Sequence, residues 1–527
     1  MTLFKSKKRN FIYVLLISVF FFQFGGQILV SATNTFDQIR RFIMAFNAIR
    51  EFYVDNVSPQ VLVNAGIQGM LEELDPHSVF IPPDQLKELN EEYEGKFTGV
   101  GIEYMVQSHL PVVISPIPDT PAEKFGIRPG DTIVKIDGES TYGLTESEIR
   151  RKLRGKFGTT VQLTLKREAL SIPLNVVLKR TTIPILSVRT HFMLNRTTGY
   201  IYLSRFSKNT DEEFEKALVD LELAGMKKLI LDMRFNPGGY LDQAVKVADK
   251  FLPAGKRIVY TRGRIQSANE DYYSTGRDTH PNFPLVILIN HGTASAAEIV
   301  AGALQDWDRG VIVGENSFGK GLVQNQIPLK DGSAIRVTIA RYYTPSGRLI
   351  QKPYSKDLYD YYNGTVDEAR KNPYTPKKVF TTFSGRKVYG GGGIRPDIII
   401  RTPKITGTTS MLLSKQAFFE FAIHESRFLK NRYISFKTFN ALFDVDAYEL
   451  QKFLTFLDDK DISVNKREFL KDRKFVQREL KAEIARNLWG TEAYYKVSVK
   501  RDPQVRQALS AFPLAAKLAS LETGLKK

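Results

Sequence analysis

The chain has 527 residues, with 75 Lys and Arg against 57 Asp and Glu, a formal charge of +18, and no cysteine. The missing cysteine excludes disulfides, thiol catalysis and a lipoprotein anchor on Cys. No long basic block, zinc-finger or RNP pattern accompanies the charge, so a basic surface near anionic lipid is favoured over nucleic-acid binding.

The start, MTLFKSKKRN, is basic, Phe11 to Phe22 is apolar but for Ser18, and Val30-Ser31-Ala32 looks like a small-residue cleavage site. This predicts a secretory signal peptide over 1–32. An uncleaved membrane anchor is the alternative, because with Gly25, Gly26 and Gln27 the apolar reach approaches a span. Either way the body of the chain is expected to be exported. From Thr35 the pattern turns helical: Phe36, Ile39, Phe42, Ile43, Phe46 and Ile49 recur at three- and four-residue steps, and a second amphipathic run covers Val57 to Leu74.

Residues 91–180 carry three signatures at mutually consistent distances. Phe97-Thr98-Gly99-Val100-Gly101-Ile102 is a glycine-rich loop, Arg128-Pro129-Gly130-Asp131 a turn, and Ile136-Asp137-Gly138 a strand end with an Asp-Gly turn. Together they resemble a PDZ domain. In such a loop, successive N–H groups converge on a peptide carboxylate, with an exposed sheet edge beside it for the extended chain.

An α/β pattern follows. Tyr200 to Phe206 reads as a strand, Asp211 to Leu223 as a helix and Lys228 to Arg234 as a buried strand. The turn Asn236-Pro237-Gly238-Gly239 then feeds a helix over Leu241 to Leu252. The same strand–turn–helix order recurs at Leu285 to Ile289, Gly292 to Ser295 and Ala296 to Leu304, which implies a layered core. Val311 to Val313 is another strand, and it leads to Lys320 in a glycine-flanked loop. Residues 314–320 match the opening of a P-loop, but Gly321 stands where the magnesium-binding Ser or Thr belongs and a strand follows, so the NTPase reading fails. Tyr354 to Tyr374 is polar and tyrosine-rich and reads as a surface insertion. Beyond Lys404, Leu413 to Phe428, Phe436 to Asp458 and Glu468 to Leu488 read as helices of a separate tail.

Ser295 has two readings. Ser295 and Glu298 fit the S-x-x-E capping box, which needs no chemistry. Against that, small residues flank the serine, and a helix start offers free N–H groups that stabilise an oxyanion. His291 lies close in sequence, but a Ser/His/Asp framework is not recognisable, and Thr293 and Ala297 exclude the G-x-S-x-G elbow.

Gly292 to Glu298, the Gly314–Gly321 loop with Lys320, and Gln324 resemble the carboxy-terminal processing proteases, serine endopeptidases with a Ser/Lys dyad. The resemblance runs from Phe36 to Pro403 with motifs in family order. It implies Ser295 as nucleophile, Lys320 as base, Gln324 beside it, and oxyanion donors at Gly238 or Gly239 and at Ala296. It also implies a structural acid at Asp306, an arginine at 154 that senses the bound peptide, helices near the amino terminus that join subunits, and no cofactor or metal. Leu74 to Ser78 resembles the family's linker into the next module, and Thr344 to Gln351 and Tyr389 to Asp397 resemble segments near its active site.

Lysine serves as base only when neutral. Bringing its pKa from about 10.4 to about 7 costs the ammonium roughly 4–5 kcal/mol. Burial beside Phe318, without a close carboxylate, suits that shift. Gln324 can orient the amine without restoring its charge.

The expected fold is multidomain α/β. Signal peptide or anchor occupies 1–32, a helical segment 33–90, an inserted β-rich α+β PDZ domain 91–180, the layered (ββα-type) peptidase core 181–403 and a C-terminal α-helical domain 404–527. The expected function is an exported endopeptidase of the bacterial periplasm or outer face of the cytoplasmic membrane. It recruits protein or peptide substrates by their C-termini through Gly99, Val100, Gly101, Ile102 and Arg154. A homodimer or higher homo-oligomer, and association with the membrane, are expected. A non-catalytic PDZ adaptor or membrane-associated scaffold is the alternative.

Overall fold

A computed structural model describes residues 35–524 apart from 169, 277–279, 281, 356, 358 and 363–377. The predicted signal or anchor therefore lies outside the described residues. Among those described, no helix is long and apolar enough to cross a membrane. The chain forms two compact units, one of 35–81 with 327–329 and 333–337, the other of the remainder.

In the first unit a helix over 35–52 precedes the helix Pro59–Glu72, and Val79–Ile81 pairs antiparallel with residues 334–336. Asp75 shapes the approach to that strand, its carboxylate accepting from the N–H groups of His77 and Ser78 and from the Ser78 hydroxyl. The predicted apolar stripe is present and open: Phe36, Ile39, Phe42, Ile43 and Ile49 are all exposed.

The second unit contains the layered core expected over 181–403. Six strands lie in the order Val188–Met193, Thr198–Leu203, Lys228–Asp232, Leu285–Ile289, Val311–Gly314, Ile398–Ile399; the first pair is antiparallel and the others parallel. Side chains alternate between faces along each strand. Leu229, Leu231, Leu285, Ile287 and Ile289 pack under the helices Thr210–Leu223, Leu241–Asp249 and Ala296–Asp306. Ile230, Val286, Leu288, Val311 and Val313 face the other way, against Val499, Val505, Ala508, Phe512, Ala515 and Leu518. The final helices, Pro503–Ala508 and Phe512–Gly524, are thus the second helical layer of the core sheet rather than part of a separate tail. The central strand Leu285–Ile289 is apolar at every position because both faces are covered. Arg234 joins the layers: it pairs with Asp232 at 2.6 Å and with Asp502 at 2.9 Å.

The rest of the C-terminal region, from Gly407 to Lys500, is helical around an aromatic core of its own that includes Phe418, Phe421, Phe439 and Phe453. The predicted helices are each interrupted. Gln416, at φ 56°, separates Gly407–Ser414 from Ala417–Leu429, and Asp446 caps a new helix at Ala447 after the break following Leu442.

The segment that resembles a PDZ domain is inserted through a two-stranded neck, Lys96–Gly99 against Thr181–Pro184. Beyond it a sheet built on Ile102–Gln107, Leu110–Pro116, Thr132–Ile136, Thr160–Lys166 and Leu174–Lys179 closes over the helix Glu146–Leu153 around a separate core. A second antiparallel sheet of the core pairs Arg257–Gly263 with Ala334–Tyr343, and Leu322–Pro328, which carries Gln324, also pairs with that strand.

Candidate active site

Ser295 occupies the turn between a buried strand and a buried helix with φ 55° and ψ −117°, a left-handed conformation that side chains rarely adopt. Such strain persists only where the surroundings enforce it. Two asparagines do so by tying this turn to the Asn236–Gly239 turn. Asn290 Oδ1 accepts from the N–H groups of Phe235 and Gly292. The Asn236 carbonyl accepts from Ala294 N–H, and Thr293 Oγ1 donates to the Met233 carbonyl.

Gly238 lies against the serine. A Cβ there would sit 2.8 Å from Ser295 Cβ and 2.9 Å from Ala296 N, so only glycine fits. Its own N–H donates to Asn236 Oδ1 at 2.9 Å. The next glycine differs: the N–H groups of Gly239 and Ala296 make no hydrogen bond among the described residues. These two backbone donors, one on each turn, suit an oxyanion hole.

The Lys320 loop packs on the same helix start. Phe318 N–H donates to the Thr293 carbonyl at 2.9 Å. Glu298 then gathers both loops. Its Oε2 accepts from Ser295 N–H at 2.9 Å and from Lys320 N–H at 2.8 Å. Its Oε1 accepts from Gly319 N–H at 2.8 Å and from the Ser317 hydroxyl. The Glu298 side chain is fully buried, and burial pushes its carboxyl up to about 7 although all four hydrogen bonds pull it down. On the other side, the buried Tyr342 hydroxyl reaches the Ser295 carbonyl at 3.0 Å and the Lys320 carbonyl at 2.7 Å. Burial, with the Glu298 charge, holds the Tyr342 phenol well above its ordinary value.

Two expectations change here. A carboxylate does lie close to Lys320, because Glu298 binds its backbone. The capping-box pattern is real on the glutamate side, but Glu298 also carries the lysine loop. The supposed surface insertion is also not wholly at the surface. Tyr361 is buried, its ring meeting Phe318 edge to face with centroids 5.9 Å apart, and Lys352 Nζ lies 3.7 Å from the Phe318 centroid. Aromatic packing thus draws that segment onto the lysine loop.

Lys320 and Gln324 are both half-buried. Asp306 is structural, as expected: it pairs with the fully buried Arg348 and accepts from Ser346 N–H at 2.9 Å. His291 turns Nδ1 toward Glu315 Oε2 at 3.6 Å and packs its ring edge to face on Phe235, with centroids 5.5 Å apart. In the PDZ domain, Val100 and Gly101 carbonyls accept from Ala122 and Ile117 N–H groups, fixing the glycine loop. Arg154 is brought to that loop, its guanidinium 4.4 Å from the Phe97 ring centroid and ion-paired to Glu91.

Asn236, Asn290, Glu298 and Tyr342 were not singled out as site residues by the sequence. Only Glu298 carried a local signal, the S-x-x-E spacing.

The comparisons with known proteins identify the family. Peptidase family S41 matches residues 197–358, a PDZ domain residues 112–167, the activating protease CtpB N-terminal domain residues 27–84, and a family of unknown function residues 409–490. The chain is 42% identical over 322 residues to a carboxy-terminal-processing protease of Bartonella bacilliformis, covering 60% of this chain and 74% of that protein. It is 34% identical to the carboxy-terminal processing protease CtpA of Bacillus subtilis, covering 65% of this chain and 71% of that one. A solved photosystem II D1 C-terminal processing protease shares 30% identity over 68% of this chain and 92% of its own, with a TM-score of 0.36. The catalytic reading is therefore favoured over a non-catalytic adaptor: the chain belongs to the carboxy-terminal processing proteases, serine-type peptidases of family S41 that carry a PDZ domain.

Proposed function

We propose that Ser295 attacks the scissile carbonyl after passing its hydroxyl proton to a neutral Lys320 amine. The carbonyl oxygen becomes the oxyanion and is received by the N–H groups of Gly239 and Ala296. As the C–N bond breaks, the Lys320 ammonium returns its proton to the leaving amine, and an ester on Ser295 remains. Water, deprotonated by the same amine, then hydrolyses the ester and frees the serine. Gln324 orients the amine with an uncharged hydrogen bond.

The observation that carries this reading is the shared anchoring of the two residues. One oxygen of Glu298 holds both amides and one hydroxyl of Tyr342 reaches both carbonyls. The PDZ loop at Gly99–Ile102, with Arg154 beside it, recruits substrates by their C-termini. The enzyme acts outside the cytoplasm, delivered or tethered by residues 1–32, and assembles as a homo-oligomer through its amino-terminal helices.

Peptide turnover by Ser295→Ala and Lys320→Ala tests the chemistry. Both variants are expected to keep the wild-type melting temperature and lose cleavage. Turnover within tenfold of wild type in folded Lys320→Ala would remove lysine from the mechanism.

A further inference from the structure

A carboxylate has two oxygens and about four acceptor sites. In Glu298 all four are filled by residues of the two loops: Ser295 and Lys320 N–H on one oxygen, Gly319 N–H and the Ser317 hydroxyl on the other. An ordinary capping box asks its glutamate for one of these bonds, at the exposed start of a helix. Here the side chain is fully buried, in the first turn of a helix whose every residue is buried. Its own N–H donates to the Ser295 carbonyl at 2.8 Å, which completes a closed ring around the strained serine.

Leaving a buried carboxylate in place is costly unless its hydrogen bonds are complete. A residue needed only to start a helix would not have to be buried with four donors aimed at it. Beside Glu298, Phe318 N–H to the Thr293 carbonyl and the Tyr342 hydroxyl also join the two loops.

We propose that Glu298 is the positioning residue of the Ser295/Lys320 pair, setting the distance between nucleophile and base by holding both backbones on one carboxylate. It touches neither substrate nor the reacting atoms. The inference rests on the dyad reading above and adds to it the part that fixes its geometry. Glutamine at 298 keeps the volume and one acceptor oxygen, but in either orientation its amide nitrogen meets at least one backbone N–H, of Gly319 or of both Ser295 and Lys320, and pushes that side of the site open. Aspartate keeps the charge but falls one methylene short of gathering both loops.

The test uses the full chain and a fluorophosphonate probe that labels the catalytic serine. Four quantities are measured for wild type, Glu298→Gln and Glu298→Asp: labelling rate, final labelled fraction, kcat and KM for a peptide, and melting temperature. In Glu298→Gln, kcat and the labelling rate are expected to fall on the order of 10²-fold, since misplacement of about 1 Å costs that much. KM should stay within about twofold and the labelled fraction should still reach that of wild type. Glu298→Asp, which retains the charge should Glu298→Gln fail to fold, is expected to slow labelling at least about tenfold with the same end point.

Wild-type labelling rates in either folded variant would overturn the proposal. So would a loss that appears only as a smaller labelled fraction, with an unchanged rate per labelled chain, because that is the signature of a fold defect. Lys320→Ala separates the two levels. If Lys320→Ala is inactive while Glu298→Gln matches wild type, the positioning role fails and the dyad stands; if Lys320→Ala is active, the dyad itself fails.

Discussion

Ser295 and Lys320 share an acceptor, Glu298 Oε2, at 2.9 Å and 2.8 Å, so their amide nitrogens lie no farther apart than the sum of those two bonds. Residues separated by a strand and a loop in the chain are thereby held as neighbours, by backbone anchors rather than by side-chain packing alone.

The opposite anchor is open to direct test. The Tyr342 hydroxyl reaches both carbonyls. Tyr342→Phe keeps the ring in its buried site and deletes only that hydroxyl. A net hydrogen bond of this kind contributes about 1 kcal/mol. A modest fall in melting temperature and a fall in kcat of about fivefold are therefore expected, read by calorimetry and peptide turnover. Unchanged kcat would mean that the Glu298 side alone sets the geometry.

Glu298 also gives the fold a pH signature. Its carboxyl is raised from 4.5 to about 7. The folded state therefore holds the proton more tightly than the unfolded chain does. Its contribution is full below the unfolded value and is lost as pH rises toward the folded one. Between pH about 4.5 and about 7, wild type should lose on the order of 3 kcal/mol relative to Glu298→Gln, which cannot titrate. Denaturant unfolding of both proteins across that window measures the difference. Parallel pH profiles would show that the carboxyl titrates in the ordinary range.

Truncation after Pro403 does not simply remove a tail. It strips Val505, Ala508, Phe512, Ala515 and Leu518 from the back of the core sheet and takes Asp502 from Arg234. Exposing a face built of Ile230, Val286, Leu288, Val311 and Val313 should leave the truncated chain insoluble or unfolded. Circular dichroism and size exclusion check this; a soluble, cooperatively melting product would contradict it.

Much of this was legible in the sequence because apolar runs and glycine turns are local signals. The two strand–turn–helix repeats, the PDZ insertion and the Ser295 and Lys320 loops all announce themselves this way. The back layer left a subtler trace. Leu285 to Ile289 is apolar at every position, which requires a cover on each face, but nothing local says that the cover comes from residues 499–518. Glu298 looked like a cap because its bonds to residues 317–320 have no sequence spacing. Tyr342 looked like any strand residue, and Tyr361 like part of a polar insertion, because burial by a distant loop is invisible in composition.

The amino-terminal helix carries an exposed row of Phe36, Ile39, Phe42, Ile43 and Ile49. Such a row would serve the proposed subunit contact. Wild type is expected to sediment as a homo-oligomer and the double variant Ile39→Asp, Ile43→Asp as a monomer with an intact fold. Equal sedimentation of the two would place the subunit contact elsewhere.

The account turns on Lys320 acting as the base for Ser295, and the most direct measurement is the rate at which a fluorophosphonate labels Ser295 in folded Lys320→Ala. The account predicts a rate at least about a hundredfold below wild type at neutral pH, the scale of a general base. Labelling at the wild-type rate would contradict it, because the serine would then be activated without the lysine.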